Sequence, residues 1–286
     1  MLNKFSIIFI SLFLASHLAV ADEAADKEEF KRLNAEFNDL FANSAAIGPV
    51  IEVGERLYQL AEKTYGKDSQ NMAVVTYNLA SAYDEKGGDG KRSFSLQNSS
   101  EVKAINLYKL YFDRLEKLGT VYTRAHIDQY LKYITAYANH YNFRSNDLSS
   151  RTLLSIAQSM ELPASELADL CITLGGLRTQ AKHPEQSKYF YQTAYDTMKN
   201  AGELDQEQFG RAAHRLADFE YSSGNKDGAI PYYLDAISAF NSQDEKDIEA
   251  LNVIYGTLSR LYVSMGNESD AKIYNDKLAE LDVLSE

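Results

Sequence analysis

The chain has 286 residues, 45% hydrophobic and 24% charged, with four prolines. That composition excludes low-complexity and collagen-like chains and leaves enough apolar residues for a sizeable core. Its 29 Lys and Arg stand against 41 Asp and Glu, a formal charge of -12 without a basic block. This removes the electrostatic basis for gripping a phosphate backbone, so nucleic acid is excluded as the expected partner.

At the N-terminus, Lys4 precedes an apolar run from Phe5 to Leu14, and Ala19-Val20-Ala21 stands just before Asp22. The run is about half as long as a bilayer-spanning helix requires, and small residues at 19 and 21 fit a signal-peptidase site. Residues 1–21 therefore read as a secretory signal, with a retained N-terminal anchor as the alternative, and no membrane span is expected after its removal. The remaining 265 residues carry 28 basic against 41 acidic side chains, or -13. Cys171 is the single cysteine and lies in the apolar run Leu170-Cys171-Ile172-Thr173-Leu174, so it reads as a small buried hydrophobe. A short leader and no internal disulfide point to a bacterial envelope protein, periplasmic or secreted.

Residues 22–48 read as an acidic N-terminus and an opening helix over 26–43, because Phe30, Leu33, Phe37, Leu40 and Phe41 fall on one helical face. Residues 49–160 follow as N-terminal helical repeats, with Leu57 to Leu79 and Tyr111 to Tyr133 each separated by 22 residues. The stretch from Gly87 to Ala104 is 12 residues longer than that from Gly224 to Ala229. The excess predicts an inserted surface loop at 88–99. From Asn142 to Ser150 the pattern decays, which predicts a short or shifted helix and a bend.

Residues 161–286 contain three windows that align without a gap at an offset of 42. Leu174, Leu216 and Leu258 share one column. Ser187, Ala229 and Ala271 share a second, Phe190, Tyr232 and Tyr274 a third, and Ala194, Ala236 and Leu278 a fourth. The turn column holds Lys182-His183, Gly224-Asn225 and Gly266-Asn267, where glycine or asparagine permits the left-handed conformation that ends a helix. Pro49, Pro163, Pro184 and Pro231 all stand at or near predicted helix starts, where proline is tolerated.

The segment 209–240, with Leu216-Ala217, Tyr221, Gly224-Asn225, Ala229, Tyr232-Tyr233 and Ala236, resembles the tetratricopeptide repeat (TPR) signature. The 42-residue period resembles the longer variety found in kinesin light chains. The family's large aromatic early in the first helix is replaced by Cys171 and Ala213 and kept as Tyr255. The resemblance implies an all-α, right-handed superhelical solenoid of antiparallel helix hairpins whose concave groove binds a protein or peptide. It also implies a non-catalytic scaffold of the envelope, by analogy a component of an outer-membrane transport or envelope-assembly system.

Carrying the family's groove positions onto this chain gives Asp169, Thr173 and Gly176, then Arg211, His214, Arg215, Asp218 and Tyr221, then Arg260. In the N-terminal repeats it gives Tyr77, Asn78 and Ser81, then Lys132, Thr135 and Asn139. Arg211 and Arg215 are one turn apart, placed for a bidentate grip on a carboxylate, and they resemble the basic residues of carboxylate-clamp TPR domains. Asn78 resembles a clamp asparagine, while Tyr77 and Ser81 stand where a clamp lysine and asparagine would be. An acidic partner segment is the expectation that follows. The competing reading pairs the arginines with Asp218, Glu207 or Glu220 on a solvated helix face.

His126, His140, His183 and His214 show no metal-ligand spacing, so no metal is expected, and no cofactor motif is present. In Gly87-Gly88-Asp89-Gly90-Lys91-Arg92-Ser93 an arginine occupies the position where a phosphate loop needs its hydroxyl. An envelope hydrolase or small-ligand sensor on the same scaffold is the alternative class. The apolar ending Leu278, Leu281, Val283 and Leu284 leaves two readings: self-association through the C-terminal helix, or a locally polar outer face bearing Lys272, Asp276 and Lys277.

Overall fold

In a computed structural model the described residues are 21–43, 46–87, 99–141, 147–180, 182–243 and 247–284. All but the last residue of the proposed signal 1–21 and nearly all of the inserted loop (88–98) lie outside them, as does 142–146. The fold is all-α, with twelve helices among the described residues packed as sequential hairpins. The chain divides into two compact units, 1–142 and 143–286.

The first unit holds α1 (Ala21–Asn43), α2 (Ile47–Tyr65), α3 (Gln70–Gly87), α4 (Ser100–Lys117) and α5 (Arg124–Tyr141). Helix α1 begins five residues before the predicted 26. It buries Phe30, Leu33 and Phe37, and Leu40 and Phe41 are only half-buried. The Phe37 ring lies over Gly54 of α2, where a Cβ would come within 2.9 Å of it. Ser99, the last residue of the insertion, caps α4 by accepting from the Val102 N–H. Buried Arg114 of α4 donates to the Lys67 carbonyl at 2.9 Å, to Tyr58 Oη at 3.3 Å and to Thr76 Oγ1, tying the α2–α3 turn to α4.

The second unit holds α6 (Asp147–Ser159), α7 (Ala164–Gln180), α8 (Pro184–Lys199), α9 (Gln206–Ser222), α10 (Lys226–Asn241), α11 (Ile248–Ser264) and α12 (Glu268–Leu284). The period seen in the sequence reappears in the helix starts. α7, α9 and α11 begin 42 residues apart, and so do α8, α10 and α12. Leu174, Leu216 and Leu258 are fully buried, each contributing about 1.5 to 3 kcal/mol relative to exposure. Ser187, Ala229 and Ala271 are buried as the small column, and Cys171, Ala213 and Tyr255 fill the variable one.

Three of the connecting turns repeat in detail. Lys182, Gly224 and Gly266 all have positive φ. Their N–H groups donate to Thr179, Tyr221 and Val263, and the following residues donate to Arg178, Glu220 and Tyr262, so the last carbonyls of α7, α9 and α11 are satisfied alike. Asn225 and Asn267 cap the next helices with their side chains. His183 makes no cap bond, and there Pro184 opens the helix where an N–H would lack a partner. Pro231 lies inside α10, since that helix starts at Lys226, and it removes the bond to the Asp227 carbonyl. The outer side of α12 exposes Lys272, Asp276 and Glu280, with Ile273 among them at 48% exposure.

Candidate functional site

The period determines which side chains share a face of α7, α9 and α11. Asp169, Arg211 and Val253 are equivalent positions. So are Thr173, Arg215 and Thr257, then Gly176, Asp218 and Arg260, then Thr179, Tyr221 and Val263. Arg211, Arg215 and Arg260 are exposed, as are Val253 and Val263. Within these four columns two carboxylates stand among three guanidinium groups, while one turn earlier Glu207 and Glu249 are exposed acids at equivalent positions of α9 and α11.

Neighbouring helices are bridged here. Arg211 Nη1 of α9 lies 3.3 Å from Asp169 Oδ1 of α7. With its amide turned to satisfy both neighbours, Gln208 donates to Asp169 Oδ1 at 3.0 Å and accepts from Arg211 Nη1 at 3.0 Å. Arg211 is therefore engaged with an acid one repeat back, and not with Glu207, Asp218 or Glu220. Arg215 makes no hydrogen bond or ion pair among the described residues. Arg260 Nη2 donates to Thr257 Oγ1 at 3.2 Å.

His214 is largely buried beside this face, with Nε2 at 3.5 Å from Asp218 Oδ1, and Tyr233 of α10 donates its hydroxyl to the same oxygen at 2.8 Å. Burial pushes the Asp218 carboxyl up. The His214 contact, the Tyr233 hydroxyl and the charge of Arg215 outweigh it and hold the group below the usual carboxylate range. The Tyr233 ring is buried. Its hydroxyl nevertheless orients Asp218, a role that a hydrophobic column does not signal. Glu220 is buried and accepts from Lys188 Nζ at 2.8 Å and Asn225 Nδ2 at 2.6 Å, which makes it a fastener of α8 and the α9–α10 turn.

The remaining candidates belong to the first unit. Tyr77 packs against Tyr108 and Tyr111 at 5.6 and 5.1 Å between ring centres, and burial pushes its phenol up to about 12. Tyr77 is thus part of an aromatic cluster rather than a free contact side chain. Asn78 is half-buried and makes no side-chain hydrogen bond among the described residues, and Lys132 is exposed on α5. Asp84, raised by burial, accepts from the Tyr108 hydroxyl at 3.2 Å with Lys132 in its field. An open cleft of about 410 Å³ lies between α2, α3 and α4, but Glu55, Tyr83 and Lys103 on its wall bond to one another.

Among the described residues no three His, Cys, Asp or Glu side chains gather as a metal site, and no helix is long and apolar enough to cross a membrane.

No family model matches the sequence, and no curated protein matches it. Solved structures do match the fold. Kinesin light chain TPR-like repeats from Podosopora anserina superpose with a TM-score of 0.53 at 10% identity, covering 79% of this chain and 100% of that one. Aspartyl phosphate phosphatase F from Bacillus subtilis superposes with a TM-score of 0.51 at 18% identity, covering 91% of this chain and 65% of that one. The fold is TPR-like.

Proposed function

We propose that this chain is a non-catalytic adaptor of the bacterial envelope that holds an acidic segment of a partner protein on the outward face of α7, α9 and α11. The observation that carries the reading is the exposed guanidinium set Arg211, Arg215 and Arg260, framed by Val253, Tyr221 and Val263, on a chain whose net charge is -12. A cationic strip on an anionic protein selects acidic segments by attraction and repels others elsewhere on the surface. TPR-like arrays expose such faces for extended peptides. Tyr221 and the valines supply the apolar contact that a purely ionic site would lack.

The envelope assignment rests on Lys4, the Phe5 to Leu14 run and Ala19-Val20-Ala21. A role in outer-membrane transport or envelope assembly is the setting this suggests. Two measurements test the proposal. Mass spectrometry of the protein from a periplasmic extract is expected to find Asp22 as the first residue, and a cytoplasmic chain starting at Met1 would sink the export reading. Cross-linking in cells is expected to join this face to an acidic stretch of one partner and to lose that product in Arg215→Glu, Arg260→Glu. An unchanged product would move the binding surface elsewhere.

A further inference from the structure

We propose that Asp169 is an internal competitor for the acidic segment, occupying Arg211 until a partner carboxylate displaces it. This inference rests on the function proposed above for the face of α7, α9 and α11. The three cations of that face are not equivalent. Arg211 is held by Asp169 at 3.3 Å, with Gln208 bonded to both. One turn further along α9, Arg215 occupies the position equivalent to Thr173 and Thr257. Their hydroxyls donate to the Asp169 and Val253 carbonyls of their own helices at 2.9 Å each. Among the described residues no carboxylate is hydrogen-bonded to Arg215, although its charge acts on Asp218, and Arg260 donates to the neutral Thr257 oxygen and acts on the Tyr233 hydroxyl beside Asp218.

The Asp169 and Arg211 side chains are 45–46% exposed, so exchange requires no unfolding. A pair this open is weak enough for another carboxylate to replace Asp169. The displaced Asp169 then stays on the face as a negative charge opposing the ligand. A segment with a single acid therefore meets Arg215 and Arg260 and gains nothing from Arg211. A segment dense in acids engages all three. Asp169 thereby sets how acidic a segment must be before it is held.

The probe is a fluorescein-labelled decaglutamate peptide, read by anisotropy against the protein at low ionic strength, with circular dichroism confirming that each variant is folded. Asp169→Asn, nearly isosteric and on an exposed position, is expected to lower Kd about 1.5- to 5-fold, the range of one released surface charge contact. Arg211→Gln alone is expected to weaken decaglutamate binding less than Arg215→Gln does, because displacing Asp169 offsets most of what Arg211 gives to a dense segment, and the Asp169→Asn, Arg211→Gln double variant to lose the gain, a non-additivity that marks a coupled pair. An Asp169→Asn protein that binds no tighter than wild type overturns the competitor. So does an Arg211→Gln loss as large as that of Arg215→Gln. The underlying reading fails separately, if Arg215→Gln, Arg260→Gln binds like wild type. Absence of binding in wild type and Asp169→Asn alike overturns both.

Discussion

Lys182 and Gly224 stand at the same point of consecutive hairpins, both left-handed at φ 60° and 87°, each donating its N–H to the carbonyl three residues back while the next residue donates to the carbonyl five back. Glycine adopts this conformation freely, while an L side chain there costs roughly 1 to 2 kcal/mol. Lys182→Gly is therefore expected to stabilise the second unit by about 0.5 to 1 kcal/mol after the entropy glycine adds to the unfolded chain. Gly224→Lys is expected to destabilise it by a similar or larger amount. Paired thermal melts check both, and a lower Tm for Lys182→Gly would reject the argument.

Two helical glycines are expected to respond oppositely to alanine. At Gly210 a Cβ would lie 2.7 Å from the Phe240 ring, and Phe240 is 1% exposed and has nowhere to move. Overpacking of about 1 to 3 kcal/mol outweighs the helix propensity gained, about 1 kcal/mol, so Gly210→Ala loses stability. At Gly256 the nearest atom is 3.6 Å away, at the mobile end of Arg260, so Gly256→Ala gains up to about 1 kcal/mol. Urea unfolding that ranks the two variants the other way would refute this account.

Glu220→Gln is expected to cost about 1 to 2 kcal/mol, because it weakens charge-assisted bonds to Lys188 and Asn225 at a buried position. Burial raises this carboxyl, but those two partners prevail and lower it below its usual 4.5. The unfolded chain thus binds the proton more readily. The contribution is present in full above pH 4.5 and is lost as pH falls through the folded-state value. Melts of the two proteins that converge at low pH and separate above it are the expected result.

How much of this was legible in the sequence depended on whether a feature repeats. The Leu174, Leu216 and Leu258 column, the turn residues and the helix starts share one period, so comparing the chain with itself exposes them. The partner of Arg211 is equally periodic, since Asp169 lies 42 residues earlier in the same position. It becomes visible once equivalent helices are known to be neighbours. Single-residue events were harder to read. Glu220 has the sequence context of a surface charge and is buried, and Tyr77 is drawn into its aromatic cluster by α4, which the insertion separates from it in the chain.

His126 caps the start of α5, its Nδ1 accepting from the Thr123 N–H at 2.9 Å, the bond that Glu or Gln makes in a capping box. Burial lowers its pKa from 6.5. Above pH 6.5 both states are neutral and the cap is intact. As pH falls, the unfolded chain protonates first and stability declines through the folded-state value. His126→Gln keeps an acceptor that does not titrate, so its Tm is expected to vary less between about pH 7.5 and 5.5 than that of wild type. Equal slopes would exclude His126 as the source.

Equal spacing of α7, α9 and α11 makes the hairpin the natural unit of inheritance in this half of the chain. One residue gained or lost within a helix turns every later side chain by about 100° and breaks each column at once. Whole units of 42 can be duplicated or excised while each column stays aligned. Excision of 205–246 would carry away Arg211, Arg215 and Asp218 together and bring Val253 into line with Asp169. Relatives of different length are thus expected to differ in whole rungs, each rung bringing its own charges to the face.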